Sequence, residues 1–204
     1  VIKTVTGEDV TAEELGGAGG TVDDLCARAG VTKGAFFHYF ESKDALGVAA
    51  ADHWSAVTGE LFERAPYHAP QDPLDRVLAY IEFRRALLRG EIPEFTCVVG
   101  TMVQETYREH AEIRDACAAS IFGHAGTLTD DIADAMKKHG IAGGWTAQSL
   151  ATHTQAVLQG AFILAKAKND VAVAIESVDH LKRYVQLLFS NAPKSSGPHK
   201  RRTK

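Results

Sequence analysis

Between Thr21 and Leu46 the chain carries two short apolar-faced segments hinged at Gly30-Val31-Thr32, and this hinge constrains the fold more than any other feature. Val22, Leu25, Cys26 and Ala29 recur at helical spacing and make one apolar stripe. Thr21 stands at the N-cap position, with Asp23 and Asp24 in the first turn, where carboxylates oppose the positive end of the helix dipole. Gly30 supplies the backbone freedom for a sharp turn, and Val31 is expected to plug the angle between two crossed helices. A second short helix is predicted from Lys33 to Tyr39. Phe36 and Phe40 lie four apart on its inner face. Its outer face shows Thr32, Lys33, Gly34, Phe37 and His38, a small polar surface with one base, suited to lying in a DNA major groove.

Helical periodicity recurs along the rest of the chain and no strand-like alternation persists, which predicts an all-α fold. A third helix, capped by Ser42, continues through Leu46, Trp54, Val57, Leu61 and Phe62 and ends before Pro66. Pro66 to Pro73 reads as a linker. Helices are then expected at about Leu74–Leu88, Cys97–Tyr107, Glu112–His139, Thr146–Ala167 and Val171–Phe189, with breaks at Pro93 and Gly140–Gly144. Residues 1–20 are polar and acidic and end in a glycine-rich stretch expected to be a flexible joint, and residues 191–204 are a basic tail expected to be disordered.

Composition removes several functional classes. Hydrophobic residues are 45% and charged residues 24%, values ordinary for a soluble globular protein. No apolar run reaches the roughly 18–20 residues needed to span a bilayer, and the N-terminus lacks the basic-then-apolar pattern of a secretory signal. A cytoplasmic protein with no membrane partner is expected. Cys26, Cys97 and Cys117 are odd in number and widely spaced, which argues against disulfides or a C-x-x-C metal site and reads as small core residues. The histidines form no H-x-x-x-H pair, and no Ser/His/Asp grouping, phosphate loop or nucleotide fingerprint occurs. No catalytic residue, metal or cofactor is expected, and the chain reads as a non-enzyme. Net charge is −4. In residues 1–60 Lys3, Arg28, Lys33 and Lys43 face Glu8, Asp9, Glu13, Glu14, Asp23, Asp24, Glu41, Asp44, Asp52 and Glu60, an acidic balance unfavourable to phosphate binding.

The run Ala29-Gly30-Val31, then Lys33-Gly34-Ala35-Phe36-Phe37-His38-Tyr39-Phe40, then Ser42-Lys43-Asp44 and Leu46 strongly resembles the signature of the tetracycline-repressor family. That resemblance implies a helix-turn-helix DNA-binding domain with its connecting helix over residues 21–65, and a helical-bundle ligand-binding and dimerisation domain over residues 66–190. It implies DNA contacts from Thr21 and Val22 at the start of the supporting helix, and base-edge contacts from Thr32, Lys33, Gly34 and Ala35. Phe37, His38 and Tyr39 would press on the sugar–phosphate backbone, and Lys43 would hold a phosphate at a helix N-terminus. The partners implied are a double-stranded DNA operator, a second copy of the chain and a small-molecule effector.

The family places an apolar-faced helix before this motif, and residues 1–20 do not show it. Residues 1–18 instead resemble a fragment of the biotin-dependent acyl-CoA carboxyltransferase β subunits, far too short to carry that catalysis. Without the first helix, Leu25, Phe36 and Phe40 are expected to stay partly exposed and operator binding to be weak or absent. Candidates to line a ligand pocket are Tyr80, Phe83, Phe95, Met102, Val103, Tyr107 and Phe122, with Glu82, Gln104 and Glu105 as polar partners. The resemblance implies that the segments 112–139 and 146–167 pair with a second copy. The small apolar stripe Ala156, Val157, Gly160, Ala161 and Leu164 suits that role or an intramolecular packing face equally. The chain is thus expected to be a ligand-responsive transcriptional regulator, with a helical dimeric ligand-binding protein carrying a non-functional DNA-binding head as the alternative.

Overall fold

A computed structural model describes residues 2–3, 9–10, 20–142 and 144–190. Most of the N-terminal segment expected to be flexible, and all of the basic tail, lie outside the described residues. A two-residue ladder, β1 (Ile2–Lys3) antiparallel to β2 (Asp9–Val10), sets β-branched Ile2 opposite Val10. The other described elements are helical, as the periodicity predicts.

Three helices form the N-terminal head. The first is α1 (Val22–Ala29), opened by a capping box between Thr21 and Asp24 and closed at Gly30 with φ 64°. The Gly30 and Val31 N–H groups bond back to Ala27 and Cys26 carbonyls, which satisfies the helix end and reverses the chain. Next, α2 (Lys33–Tyr39) starts where the Thr32 hydroxyl accepts from the Ala35 N–H at 3.1 Å. The long α3 (Lys43–Glu63) starts where the Ser42 hydroxyl accepts from the Ala45 N–H at 3.0 Å.

The body follows as α4 (Pro73–Ala86), α5 (Ile92–Phe95), α6 (Val98–Thr106), α7 (Ala111–Gly126), α8 (Thr129–His139), α9 (Ala147–Lys168) and α10 (Val171–Ser190). Three boundaries differ from expectation. The Pro66–Pro73 linker contains a 3-10 turn, Pro66–His68, that buries Tyr67. Pro93 does not break the chain. It sits at the second position of α5, where no intrahelical N–H is needed. The single helix expected over 112–139 is two, because past Gly126 the Thr127 and Leu128 N–H groups reach only three residues back. Leu128 is drawn into the core at that corner.

Two cores hold the body. One gathers Val77, Tyr80 and Ile81 of α4, Ile132 of α8, Leu158 and Phe162 of α9 and Val178 and Val185 of α10 around Phe62. The other packs Ala50 and Ala51 of α3 against Val99 and Met102 of α6 and Ile113 and Cys117 of α7. Helices α3 and α7 approach closely at Gly47, where an added Cβ would stand 2.7 Å from Ile113 Cδ1. We therefore expect Gly47→Val to destabilise the protein by about 1–3 kcal/mol through overpacking. Urea denaturation checks this, and an unchanged midpoint would contradict the close approach.

Candidate DNA-binding surface and interior cavity

The head buries its apolar stripe. Leu25 and Phe36 are 5% and 6% exposed, so the expectation that they stay partly uncovered fails for these two, while Phe40 is half-buried. The Phe36 ring meets Phe37 edge-on at 5.1 Å and Phe40 at 5.6 Å between centroids. Val31 departs the other way. It is 37% exposed and holds the turn through its N–H rather than by plugging the elbow.

Lys33 Nζ lies 3.0 Å from the Asp23 carboxylate, so the N-termini of α1 and α2 stand side by side. Thr21, Thr32, Lys33, Gly34, Phe37, His38 and Tyr39 are exposed, and Val22, Ala35 and Lys43 are half-buried. Both threonine hydroxyls cap helices, and the Thr21 N–H and hydroxyl both donate to Asp24. Gly34 stands apart. A Cβ there would meet nothing nearer than the Thr32 hydroxyl at 3.8 Å, so nothing inside the protein requires glycine in this helix. Glycine in a helix costs about 1 kcal/mol relative to alanine.

A cavity of about 170 Å³ lies between α3, α4, α7 and α9. Trp54, Leu61 and Phe62 of α3 form one wall, with Phe95 and Phe162 opposite. Arg84, His124, Gln155 and Gln159 supply the polar groups. Behind them lies fully buried Tyr80, whose hydroxyl is 2.9 Å from His124 Nε2 and accepts from Gln155 Nε2 at 3.2 Å. Arg84 also engages that hydroxyl oxygen. Burial, reinforced by the Arg84 charge, pushes the His124 imidazole down to about 4, and it is neutral at pH 7. Because the unfolded chain takes up that proton near pH 6.5 and the folded one does not until about 4, stability is expected to be lost as pH falls from about 6.5 to about 4. Thermal unfolding across that range should show the loss, and His124→Gln should flatten the profile.

Of the residues expected to line a pocket, Phe95 does so. Tyr80 stands one layer behind, and Phe83 packs edge-on against Phe62 at 5.4 Å and faces a shallow groove with Val57 and Leu61. Met102 is fully buried in the second core with Val103 beside it, because α6 turns that face onto α7. Tyr107 and Phe122 are 53% and 57% exposed and turn away from the cavity. Glu82 is ion-paired with Lys182, whereas Gln104 and Glu105 border a neighbouring crevice of about 250 Å³. Trp54, Arg84, His124, Gln155 and Gln159 were not foreseen. The available signal was a polar residue at a core-facing position, as with Gln155 between Ala151 and Leu158. Cys97 also departs from the reading as plain core. It borders the cavity, and its sulfur accepts from the Gly100 N–H at 3.4 Å.

The small-residue stripe of α9 divides. Ala161 is 2% exposed and belongs with Leu158 and Ala165 to the protein's own core, as the 3.6-residue period places all three on one face. Ala156 and Leu164 are exposed and Val157 and Gly160 half-buried. Ile163 on α9 and Tyr184 and Leu187 on α10 are also exposed.

Two family profiles match the chain. One, described as bacterial regulatory proteins of the tetR family, matches residues 11–50, and the other, the C-terminal domain of LmrA/YxaF-like transcriptional regulators, matches residues 73–177. The chain belongs to the TetR family. The TetR match starts at residue 11 and so takes in residues set aside above as lacking the family's first helix. Nothing in the matches supports the carboxyltransferase likeness of residues 1–18. Similar solved structures include a TetR regulatory protein from Rhodobacter sphaeroides (21% identity, TM-score 0.69, covering 85% of this chain and 93% of that one). A TetR-family regulator from Agrobacterium tumefaciens is 18% identical with a TM-score of 0.71, covering 85% and 90%. A cysteine mutant of the TetR-family transcriptional regulator CifR, complexed with 26-bp double-strand operator DNA, is 18% identical with a TM-score of 0.68, covering 84% and 92%. No curated protein matches the chain. TetR-family members are transcriptional regulators with a DNA-binding head and a C-terminal domain, and among the described residues no helix is long and apolar enough to cross a membrane.

Proposed function

We propose that this TetR-family protein is a ligand-responsive repressor that binds a palindromic operator as a homodimer. Thr32, Lys33, Gly34 and Ala35 read base edges, Thr21 and Val22 support them, and Phe37, His38, Tyr39 and Lys43 meet the backbone. The observation that carries this is the exposed surface where the N-termini of α1 and α2 stand side by side, with Lys33, Phe37, His38 and Tyr39 on it and, among them, Gly34, a helical glycine with no internal neighbour to accommodate. Its use lies in letting the α2 backbone approach another molecule closely. Two copies related by two-fold symmetry would place their α2 helices about 34–36 Å apart, one DNA turn. The exposed apolar residues of α9 and α10 support such pairing, with Ala156, Val157, Gly160 and Leu164 in the contact.

The cavity, open to solvent on the side of Leu61 and Glu94, is the effector site in this reading. Helix α3 supplies both a cavity wall and, through Ser42 and Lys43, the joint to α2. A ligand that binds better to one setting of α3 shifts the population of heads able to fit adjacent grooves. Close packing at Gly47 and the 2.8 Å contact between Asp44 and His110 Nδ1 support α3 and α7 moving as one unit.

Selection from random DNA duplexes followed by a salt titration tests the proposal. An enriched palindrome, affinity falling steeply with salt, and a loss of at least tenfold on Gly34→Val with unchanged melting temperature are expected. The Lys33–Asp23 pair favours the runner-up, a dimeric ligand-binding protein with an inactive head. Enrichment of no sequence would decide for it.

A further inference from the structure

We infer that the cavity selects a small aromatic carboxylate, with the Arg84 guanidinium as its anchor. This rests on the reading of the cavity as the effector site. Three arginines of α4 point to it by contrast. Arg76 pairs with Asp131 at 2.6 Å and Arg85 with Asp179 at 2.7 Å. Arg84, between them in sequence and half-buried, has no carboxylate within ion-pair distance among the described residues. Its guanidinium instead lies over the rings of Phe62 at 5.1 Å and Phe162 at 5.8 Å, with the Tyr80 hydroxyl as its polar neighbour. Two aromatic faces hold the cation in place but leave its forked donors without the acceptor they fit best, a carboxylate.

The rest of the lining does not cancel that charge. Glu94 is the one acid among the lining residues, and it is exposed, with its carboxylate accepting the Glu91 N–H at 2.8 Å to close the cap of α5. His124 is neutral and so adds no negative charge to the lining. The cavity therefore presents a positive centre inside apolar walls of Trp54, Leu61, Phe62, Phe95 and Phe162. Its volume of about 170 Å³ is close to the roughly 150 Å³ of an apolar cavity that takes up benzene. One ring with a short acidic arm is the size that fits. A longer substituent could extend past Gln159 into the adjoining crevice, which shares Cys97, Gln159 and Phe162 with the cavity.

Calorimetric titration of the full chain at pH 7.5 with benzoate, phenylacetate and benzamide tests this, with Trp54 fluorescence as a second readout. At least one of the two acids should bind saturably and at least tenfold tighter than benzamide. Arg84→Met should weaken the acid at least tenfold and leave benzamide within twofold. If Arg84→Met fails to fold, judged by circular dichroism, the acid-to-amide ratio on the unaltered protein still decides. Equal affinity for acid and amide overturns the inference, as does binding of none of the three. The effector reading is judged separately with Ser120→Trp, which fills the cavity from α7. A changed operator affinity in that variant upholds the cavity as effector site even when the carboxylate is wrong, and an unchanged one removes that reading too.

Discussion

Phe62→Ala is expected to lower the unfolding free energy by about 3–5 kcal/mol, the usual cost of removing a buried ring. Phe62 is 6% exposed and meets Tyr67, Tyr80, Phe83 and His124 at centroid distances of 6.4, 5.8, 5.4 and 4.4 Å. It also carries the Arg84 guanidinium on its face at 5.1 Å. Its removal opens a void that four other rings cannot close without abandoning their own contacts. A typical domain is stable by only about 5–15 kcal/mol, so this one change consumes a large part of the margin. Phe62→Leu, which keeps much of the volume, is expected to cost roughly 1–1.5 kcal/mol. Chemical denaturation with a two-state fit measures both, and a loss under 1 kcal/mol for the alanine variant would mean that the ring is not a packing centre.

The second large effect concerns DNA. Lys33→Ala is expected to weaken binding to a selected duplex about tenfold and to relax the sequence preference at the base pair it contacts. Asp23→Asn is expected to tighten binding several-fold. The reasoning rests on relative magnitudes. The Lys33–Asp23 pair is exposed on both sides, and such pairs are worth about 0–1 kcal/mol. A charge-assisted contact to a base edge, about 1–3 kcal/mol, outweighs that, so the lysine leaves its partner when DNA arrives. Asp23 then stands as an uncompensated negative charge near the duplex. Fluorescence anisotropy measures both variants. An unchanged preference among single-base variants of the duplex for Lys33→Ala would place Lys33 away from the base edges, and weaker binding by Asp23→Asn would make the aspartate a structural prop.

The head was legible in the amino-acid order because its determinants are local. Thr21, Thr32 and Ser42 cap the helices that directly follow them, Gly30 terminates the first, and the spacing of Leu25, Cys26 and Phe36 marks the inner faces. What sequence reasoning missed there is the exposure of Val31, since a residue that turns the chain by its N–H looks the same as one that packs. The cavity was mostly illegible. Its lining comes from α3, α4, α5, α6, α7 and α9, spread over more than a hundred residues of the chain, and aromatic residues at helical spacing are equally at home in a core or on a surface. Met102 went to the first place and Tyr107 and Phe122 to the second. Ala161 shows the same limit, as small residues suit any close helix contact and only the neighbouring helix decides which.

The three cysteines have unequal surroundings, and that inequality has a practical consequence. Cys26 and Cys117 are buried, and burial pushes the Cys117 thiol up to about 11, which keeps it from forming the reactive thiolate. Cys97 is only half-buried and stands at the cavity wall. The protein thus carries a native reporter beside its interior chamber. A thiol-specific alkylating dye would mark Cys97 first, and any occupant of the chamber would announce itself by slowing that labelling.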